Sequence, residues 1–376
     1  MNRLDTQVRC VTRWMGWGVV CALVVSLGAW APNALAEDAL ACSEGESDAY
    51  LSPEGDGPAE PSLDDLANPN WSLAIDPSLL TAEEAGGAPP EGAPEAAAAP
   101  PRMPLPAHNL QGVGGGLITP MAYLINPGPP GTQVGLPSAS YTFVKLSSKT
   151  AHVFAVTETL FRRIELGYAF STLGLGNFVK DTMDFTGVDI SLDHVMIHYF
   201  NLRGVLVEET PTMPAIAAGA TFMYNPNVQT IDRRLGRGLR GLGFERNNGT
   251  DFTLTATKMF PTLFFGKPLI ATGGIRFSQA AQIGALGFGD AYRVTGEGSI
   301  LMFLTDCVIL GYEYRQKKNP FGELATVLGP EEDWHTVILA FCISPQCCLA
   351  LGWGHFGNIG NNDANGTWGF QFKYDF

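Results

Sequence analysis

The sequence predicts an all-β chain, an antiparallel transmembrane β-barrel of about 12 strands with short periplasmic turns and longer extracellular loops. Three observations carry this expectation. The N-terminus has the form of an export leader, and no further run of 18 or more apolar residues follows it. From Ser138 onward, strand-length segments put apolar and polar side chains on alternate positions. The connections between those segments alternate between short and long.

The leader comes first. Arg3, Arg9 and Arg13 precede the apolar stretch "MGWGVVCALVVSLGAW", and the small-x-small sequence Ala34-Leu35-Ala36 marks the cleavage site. Residues 1–36 therefore read as a signal peptide and the mature chain as exported. An uncleaved anchor is the rival, since the apolar stretch is slightly long. A lipoprotein is weaker, because Cys42 lacks a Leu three places before it and Glu37 and Asp38 intervene.

The net charge of -14 belongs mostly to one segment. Residues 37–107 carry 15 acidic residues and one basic, Arg102, whereas residues 108–376 carry 19 basic and 21 acidic residues. The acidic segment is also rich in Pro and Ala ("GGAPPEGAPEAAAAPPRMPLP"). It lacks the apolar surface to offset chain entropy, so it reads as a disordered periplasmic tether. The folded unit is expected at 108–376. Mean hydropathy is slightly positive, +0.07, and charged residues make up only 16%, low for a secreted soluble protein.

Twelve strands are expected at 138–146, 151–159, 163–171, 190–207, 214–225, 251–260, 268–278, 292–304, 307–317, 334–343, 347–356 and 367–376. Most have about the 9–11 residues that a tilted strand needs to cross a bilayer core. After the first hairpin, "FRR", "EETPTMP", "PTLFFGKP", "TD" and "SPQ" are short connections, and the stretches between them are long. An even strand number leaves both termini on the short-turn side, the periplasm of a Gram-negative-type envelope. Residues 109–131, with a Gly-rich start and an apolar middle, are expected to act as a plug or to add an extra strand.

The faces follow by parity. Ile164, Leu166, Tyr168 and Phe170 oppose Arg163, Glu165, Gly167 and Ala169, and Val308, Leu310, Tyr312 and Tyr314 oppose Ile309, Gly311, Glu313 and Arg315. The last strand, "TWGFQFKYDF", puts Trp368, Phe370, Phe372, Tyr374 and Phe376 on one face. A soluble β-sandwich shows the same alternation, but the export leader, the loop asymmetry and the aromatic terminus favour a barrel with lipid outside. The terminal Phe376 strand matches the signal read by the barrel-assembly machinery. Parity directs Glu165, Arg276, Arg293, Glu297, Glu313, Arg315, Gln371 and Lys373 into the lumen, either as cross-lumen ion pairs or as the lining of a narrow polar pore.

Other motifs have the outward form of chemical sites. "GRGLRG" is formally a G-x-G-x-x-G but lies in a long loop between alternating strands, not after a buried strand, which excludes a dinucleotide fingerprint. That loop does hold Arg233, Arg234, Arg237, Arg240 and Arg246, a patch for anionic lipopolysaccharide or an anionic solute, or simply a solvated loop. His194 and His198 on a strand stand roughly 13 Å apart, too far to share a metal. Cys307, Cys342, Cys347 and Cys348 survive export, and "CISPQCC" allows a disulfide across a tight turn. Zinc is the lesser reading, since no fourth ligand has the right spacing. Glu208-Glu209 and Glu331-Glu332 sit in connections. No catalytic set stands out, so no enzyme, cofactor, metal or nucleic acid is expected.

The ordered runs "LQGVGGGLITPMAYL", "RIELGYAF", "NNGTDFTLTATKMF", "FSQAAQIGALGFGD", "ILGYEYRQKKNPFG", "EEDWHTVILAF" and "LALGWGHFGNIG" cover most of 109–376. Together they resemble the bacterial family catalogued as domain of unknown function 3034. The resemblance implies an outer-membrane barrel and carries over no functional residue. The long acidic tether and the four barrel cysteines depart from the family pattern. The function expected is a pore or channel for small solutes. The alternative is a non-conducting structural or envelope-assembly barrel whose tether, 37–107, reaches peptidoglycan or a periplasmic protein. In either case the outer face meets outer-membrane lipid and lipopolysaccharide.

Overall fold

The computed structural model describes residues 105–318, 330–360 and 363–376. All belong to one compact unit spanning 90–376. The expected leader, and the tether up to residue 104, lie outside the described residues.

Two short strands come first, β1 (Ala107–His108) and β2 (Gly114–Gly115), which form a two-stranded ladder separate from the wall. The wall follows as β3 (Ser138–Leu146), β4 (Lys149–Leu160), β5 (Ile164–Gly174), β6 (His194–Val207), β7 (Ala215–Tyr224) and β8 (Asn248–Phe264). It continues with β9 (Lys267–Ala280), β10 (Phe288–Phe303), β11 (Val308–Arg315), β12 (Trp334–Cys342), β13 (Cys347–His355) and β14 (Thr367–Asp375). Each wall strand pairs antiparallel with its chain neighbours, and β14 pairs with β3 to close a 12-strand barrel. Closure removes both sheet edges, so every wall strand finds partners on two sides.

The alternation expected from sequence is the alternation of the wall. On β14, Trp368, Phe370, Phe372 and Tyr374 face outward, and Thr367, Gln371, Lys373 and Asp375 are buried inward. Register places Phe370 opposite Phe143 and Phe372 opposite Tyr141. The outer face becomes a continuous aromatic and aliphatic surface: Tyr141 meets Phe154 at 4.8 Å between ring centroids, and Phe154 stacks on Phe170 at 5.0 Å. Large side chains such as Phe200, Leu202, Tyr312 and Trp353 stay exposed on it. Left in water, such a surface would be costly, at about 25 cal/mol per Å² of apolar area. It is the surface of a barrel that faces lipid.

One local feature differs from expectation. "PTLFFGKP" is not a separate connection, because β8 and β9 run to Phe264 and from Lys267 and leave only Phe265 and Gly266 to turn. Both turn residues have positive φ (50° and 75°), the primed-turn backbone that matches the twist of a two-residue hairpin. The longer connections at the opposite end are not featureless. They hold α1 (Asn177–Thr186), α2 (Val228–Arg234) and α3 (Gly238–Gly241), and a 3₁₀ turn at Gln282–Gly284. Phe178, Ile231, Leu239, Phe244 and Leu286 from these loops join Leu173, Ile197, Tyr199 and Phe356 in one apolar cluster that caps the loop end. A second cluster, including Met121, Ile270, Leu301, Phe303 and Ile309, fills the turn end.

Candidate functional site: the lumen and the segment inside it

Between the two apolar clusters lies a polar belt, and residues 107–126 run through it. The segment enters beside the turn-end cluster, where Leu105 packs, rises to Leu110–Gly112 and folds back on itself through β1 and β2. It contributes no strand to the wall. Gly112 reaches the wall so closely that a Cβ there would stand 2.5 Å from the Ala169 Cβ. After Ile125 the chain returns to the turn end, where Gly135 N–H donates to the Thr159 carbonyl (2.7 Å) before β3 begins.

A backbone this irregular cannot satisfy its own amides inside a barrel, so the wall must do so. Glu313 supplies one anchor. Its carboxylate accepts the N–H of Leu117 (2.8 Å), Ile118 (3.0 Å) and Thr119 (3.1 Å), and the Thr119 hydroxyl (2.5 Å). Glu165 supplies a second, accepting Gly114 N–H (3.1 Å) and Ile125 N–H (2.8 Å) while pairing with Arg203 at 2.7 Å. Arg203 in turn donates to the carbonyls of Gly114 (2.8 Å), Met121 and Tyr123 (2.9 Å). Gln371 brackets His108, accepting its N–H at 3.1 Å and donating to its carbonyl.

The glycine run has a steric reason. A Cβ on Gly115 would stand 2.0 Å from the Thr119 carbonyl oxygen, and one on Gly116 would stand 2.1 Å from a Glu313 carboxylate oxygen. Only bare backbone lets the turn wrap that carboxylate.

A charge network completes the belt. Arg276 lies between Asp251 (3.0 Å) and Glu297 (3.1 Å), and Arg315 stands 4.0 Å from Glu297. Gln111 from the inserted segment ties in by accepting from Arg276 (2.9 Å) and Arg315 (3.2 Å). Lys373 pairs with Asp375 at 2.7 Å. These groups are buried. In that environment, removing one member of a pair costs about 3–5 kcal/mol, because the other is left charged and alone.

Of the eight residues expected to face the lumen, seven are buried there and take part in this belt. Arg293 is half-buried at the loop end, with its guanidinium 5.4 Å from the centre of the Phe244 ring. The five arginines of the long loop do not form one cluster. Arg234 donates to the Ile190 carbonyl, Arg246 pairs with Asp290 (3.0 Å), Arg240 approaches Glu245 (3.9 Å), and Arg233 and Arg237 are exposed.

All four described thiols are free. Cys342 and Cys348 occupy opposed positions of β12 and β13 on the inner face, whereas Cys307 is exposed and Cys347 lies on the outward-facing parity. His194 and His198 face outward, and His198 Nδ1 meets the Tyr168 hydroxyl at 2.9 Å. Among the described residues no three His, Cys, Asp or Glu side chains gather as a metal site. The acidic pairs in the connections are each engaged. Glu208 holds Arg163 (2.9 Å), Glu209 holds Lys258 (3.0 Å), Glu331 holds Lys317 (2.8 Å) and Glu332 holds His355 (3.1 Å). Burial pulls the Lys317 ammonium below its usual range, and Glu331 opposes that pull.

Sequence reasoning missed Arg203, Asp251, Gln111 and His108. For Arg203 a signal existed: Val195, Ile197, Tyr199, Asn201 and Arg203 share a parity that turns polar toward the turn end.

Comparison of structures finds the KdgM porin at 11% identity and TM-score 0.39, covering 64% of this chain and 99% of that one. The COG4313 outer membrane channel from Pseudomonas putida F1 matches at 10% identity and TM-score 0.35, covering 66% and 100%. A TodX mutant described as a monoaromatic hydrocarbon channel matches at 9% identity and TM-score 0.35, covering 72% and 99%. No curated protein matches the sequence. The model of the family described as "Protein of unknown function (DUF3034)" matches residues 106–372, and the chain belongs to that family.

Proposed function

We propose that the protein is an outer-membrane channel for small solutes, closed at rest by its own residues 105–131. The single observation behind this reading is the way the inserted segment is held. Its backbone amides donate to two wall carboxylates, Glu313 and Glu165, and not to a β-ladder with the wall. A ladder would make the segment part of the barrel; a few strong, localised anchors make it a stopper that can leave as a unit. In this reading the short turns and both termini are periplasmic, so the segment enters from the side where the tether emerges and a pull on the tether is a pull on the stopper.

The test is single-channel conductance of the detergent-purified mature protein in a planar bilayer, beside a chain lacking residues 37–131. A silent full-length protein and a conducting truncated one support the proposal. Silence from both, with heat-modifiable folded bands on gels, would refute it.

One observation favours a second reading, a structural barrel that never conducts. The belt charges are paired and buried, as a permanent core would have them. In that case only silence from both chains is expected, and the tether holds a peptidoglycan or periplasmic partner.

A further inference from the structure

At the loop end of β9, β10 and β11 the wall encloses a small cavity of about 30 Å³, room for at least one water-sized group. Its lining is unlike any other part of the described lumen. Five cationic side chains reach it: Arg276, Arg293, Arg315, Lys317 and Lys318. Ser278 and Thr295 add hydroxyls.

Among the described residues the charges there do not balance. Asp251 and Glu297 answer Arg276 and Arg315, and Glu331 answers Lys317. Arg293 and Lys318 take no carboxylate among the described residues. One guanidinium nitrogen of Arg293, Nη1, is buried and has no hydrogen-bond partner among the described residues. A buried cationic donor without an acceptor is costly, and native structures keep few of them. Among the described residues the rest of the belt supplies its own carboxylates, whereas here Glu331, the carboxylate whose field reaches Arg293, is already held by Lys317, which leaves room for an acceptor from outside.

The cations are also held in position. Arg293 lies over the Phe244 ring, and Arg315 and Lys317 lie 5.4 and 4.9 Å from the centre of the Trp334 ring. Aromatic faces of this kind fix cations without neutralising them. A second feature of the loop end points the same way. The 225–247 loop packs on the start of β10 through Phe244 and the Arg246–Asp290 pair, and it exposes Arg233 and Arg237 toward solvent. Exposed basic side chains on the same loop attract anions to this end of the barrel.

We propose that this cavity is an anion site that takes the carboxylate or phosphoryl group of a small solute at the loop-end mouth of the barrel. Arg293 and Lys318, which pair with no carboxylate among the described residues, supply the charge, and the hydroxyls of Ser278 and Thr295 supply further donors. The inference names a solute class for the channel reading and rests on that reading for the solute's onward route, but the binding itself does not depend on conduction.

The experiment is thermal unfolding of the detergent-purified full chain, titrated with inorganic phosphate and separately with acetate, with chloride holding ionic strength constant. A ligand that binds only the folded state raises the midpoint in a saturable way. Saturation by phosphate assigns a phosphoryl group, and saturation by acetate assigns a carboxylate. Arg293→Gln with Lys318→Gln is expected to raise the half-saturating concentration at least tenfold, and Arg293→Lys to raise it less. Lys318→Gln alone, at an exposed position, guards against a misfolded double variant and should give an intermediate shift. A midpoint that drifts without saturating, or equal titrations in wild type and variants, would overturn the proposal. Saturable binding with a silent bilayer trace would keep the site and retire the channel. A conducting truncated chain whose full-length parent shows no saturable binding would do the reverse.

Discussion

Glu313→Ala is the perturbation that tests the stopper most directly. The Glu313 carboxylate accepts four hydrogen bonds from Leu117, Ile118 and Thr119, and no cation pairs with it among the described residues. Hydrogen bonds to a charged group contribute about 1.5–3 kcal/mol each, and those sharing one acceptor do not add in full. Removing the carboxylate also leaves three buried amides without their acceptor. An overall loss of about 3–5 kcal/mol in anchoring follows. At about 1.4 kcal/mol per factor of ten, the released state gains roughly two to three and a half orders of magnitude. The wall should survive, because no β-ladder in it includes the segment. Two assays read the release: opening frequency in a planar bilayer, and cleavage within residues 105–131 by a protease added to liposomes from the turn side. The isostere Glu313→Gln keeps one acceptor oxygen and turns the other into a donor facing donors, so it should sit between wild type and Glu313→Ala. If Glu313→Ala matches wild type in both assays while keeping a heat-modifiable folded band, the anchor argument fails.

Four further outcomes follow from the same geometry. Gly116→Ala puts a methyl against the Glu313 carboxylate and should raise protease sensitivity of the segment nearly as much as Glu313→Ala, whereas Gly366→Ala, at a position without positive φ whose added Cβ meets nothing within 4 Å, should leave it near wild type. Arg203→Met strands Glu165 in the lumen and should lower stability by about 3–5 kcal/mol, with Glu165→Gln in the same chain recovering part of it, as read from denaturant midpoints of the folded band. Cys342 and Cys348 face each other across β12 and β13 and, in an oxidising compartment, should resist alkylation until reduced, while Cys307 and Cys347 label at once; labelling of all four without reductant counts against that pairing. Trp353 and Trp368 point outward and Trp334 is buried, so brominated acyl chains should quench the first two and spare a chain whose only remaining Trp is Trp334.

The wall was legible because two constraints act on every strand at once. Side chains alternate with a period of two, and in a barrel facing lipid one parity must be apolar whatever its neighbours are. β14 shows how strong that signal is: its four aromatics needed no partner to be assigned outward, and register then set Phe370 against Phe143. The β8–β9 tip was misread for an equally physical reason. "LFFGK" carries a glycine that signals a turn, but a primed two-residue turn uses so few residues that strand continues up to it on both sides.

The interior was legible in direction and not in partnership. Parity sends Glu313 inward, but nothing in "GYEYR" says that its acceptors will be used by amides nearly 200 positions earlier in the chain, because those amides belong to a segment with no period to read. "QGVGGGLITP" looks like a flexible linker until the steric demand at Gly115 and Gly116 is known, and that demand exists only once the Glu313 carboxylate is already in place. The same logic explains why Asp251 and Gln111 escaped notice while Arg276 and Glu297 did not. Strand residues announce their side by alternation, whereas Gln111 has no strand to announce it, and Asp251 stands near the start of β8, where only the following residues establish a parity. Cross-lumen chemistry is a property of the closed cylinder. The sequence of any one strand specifies which charge enters the lumen, and closure alone decides which charge it meets.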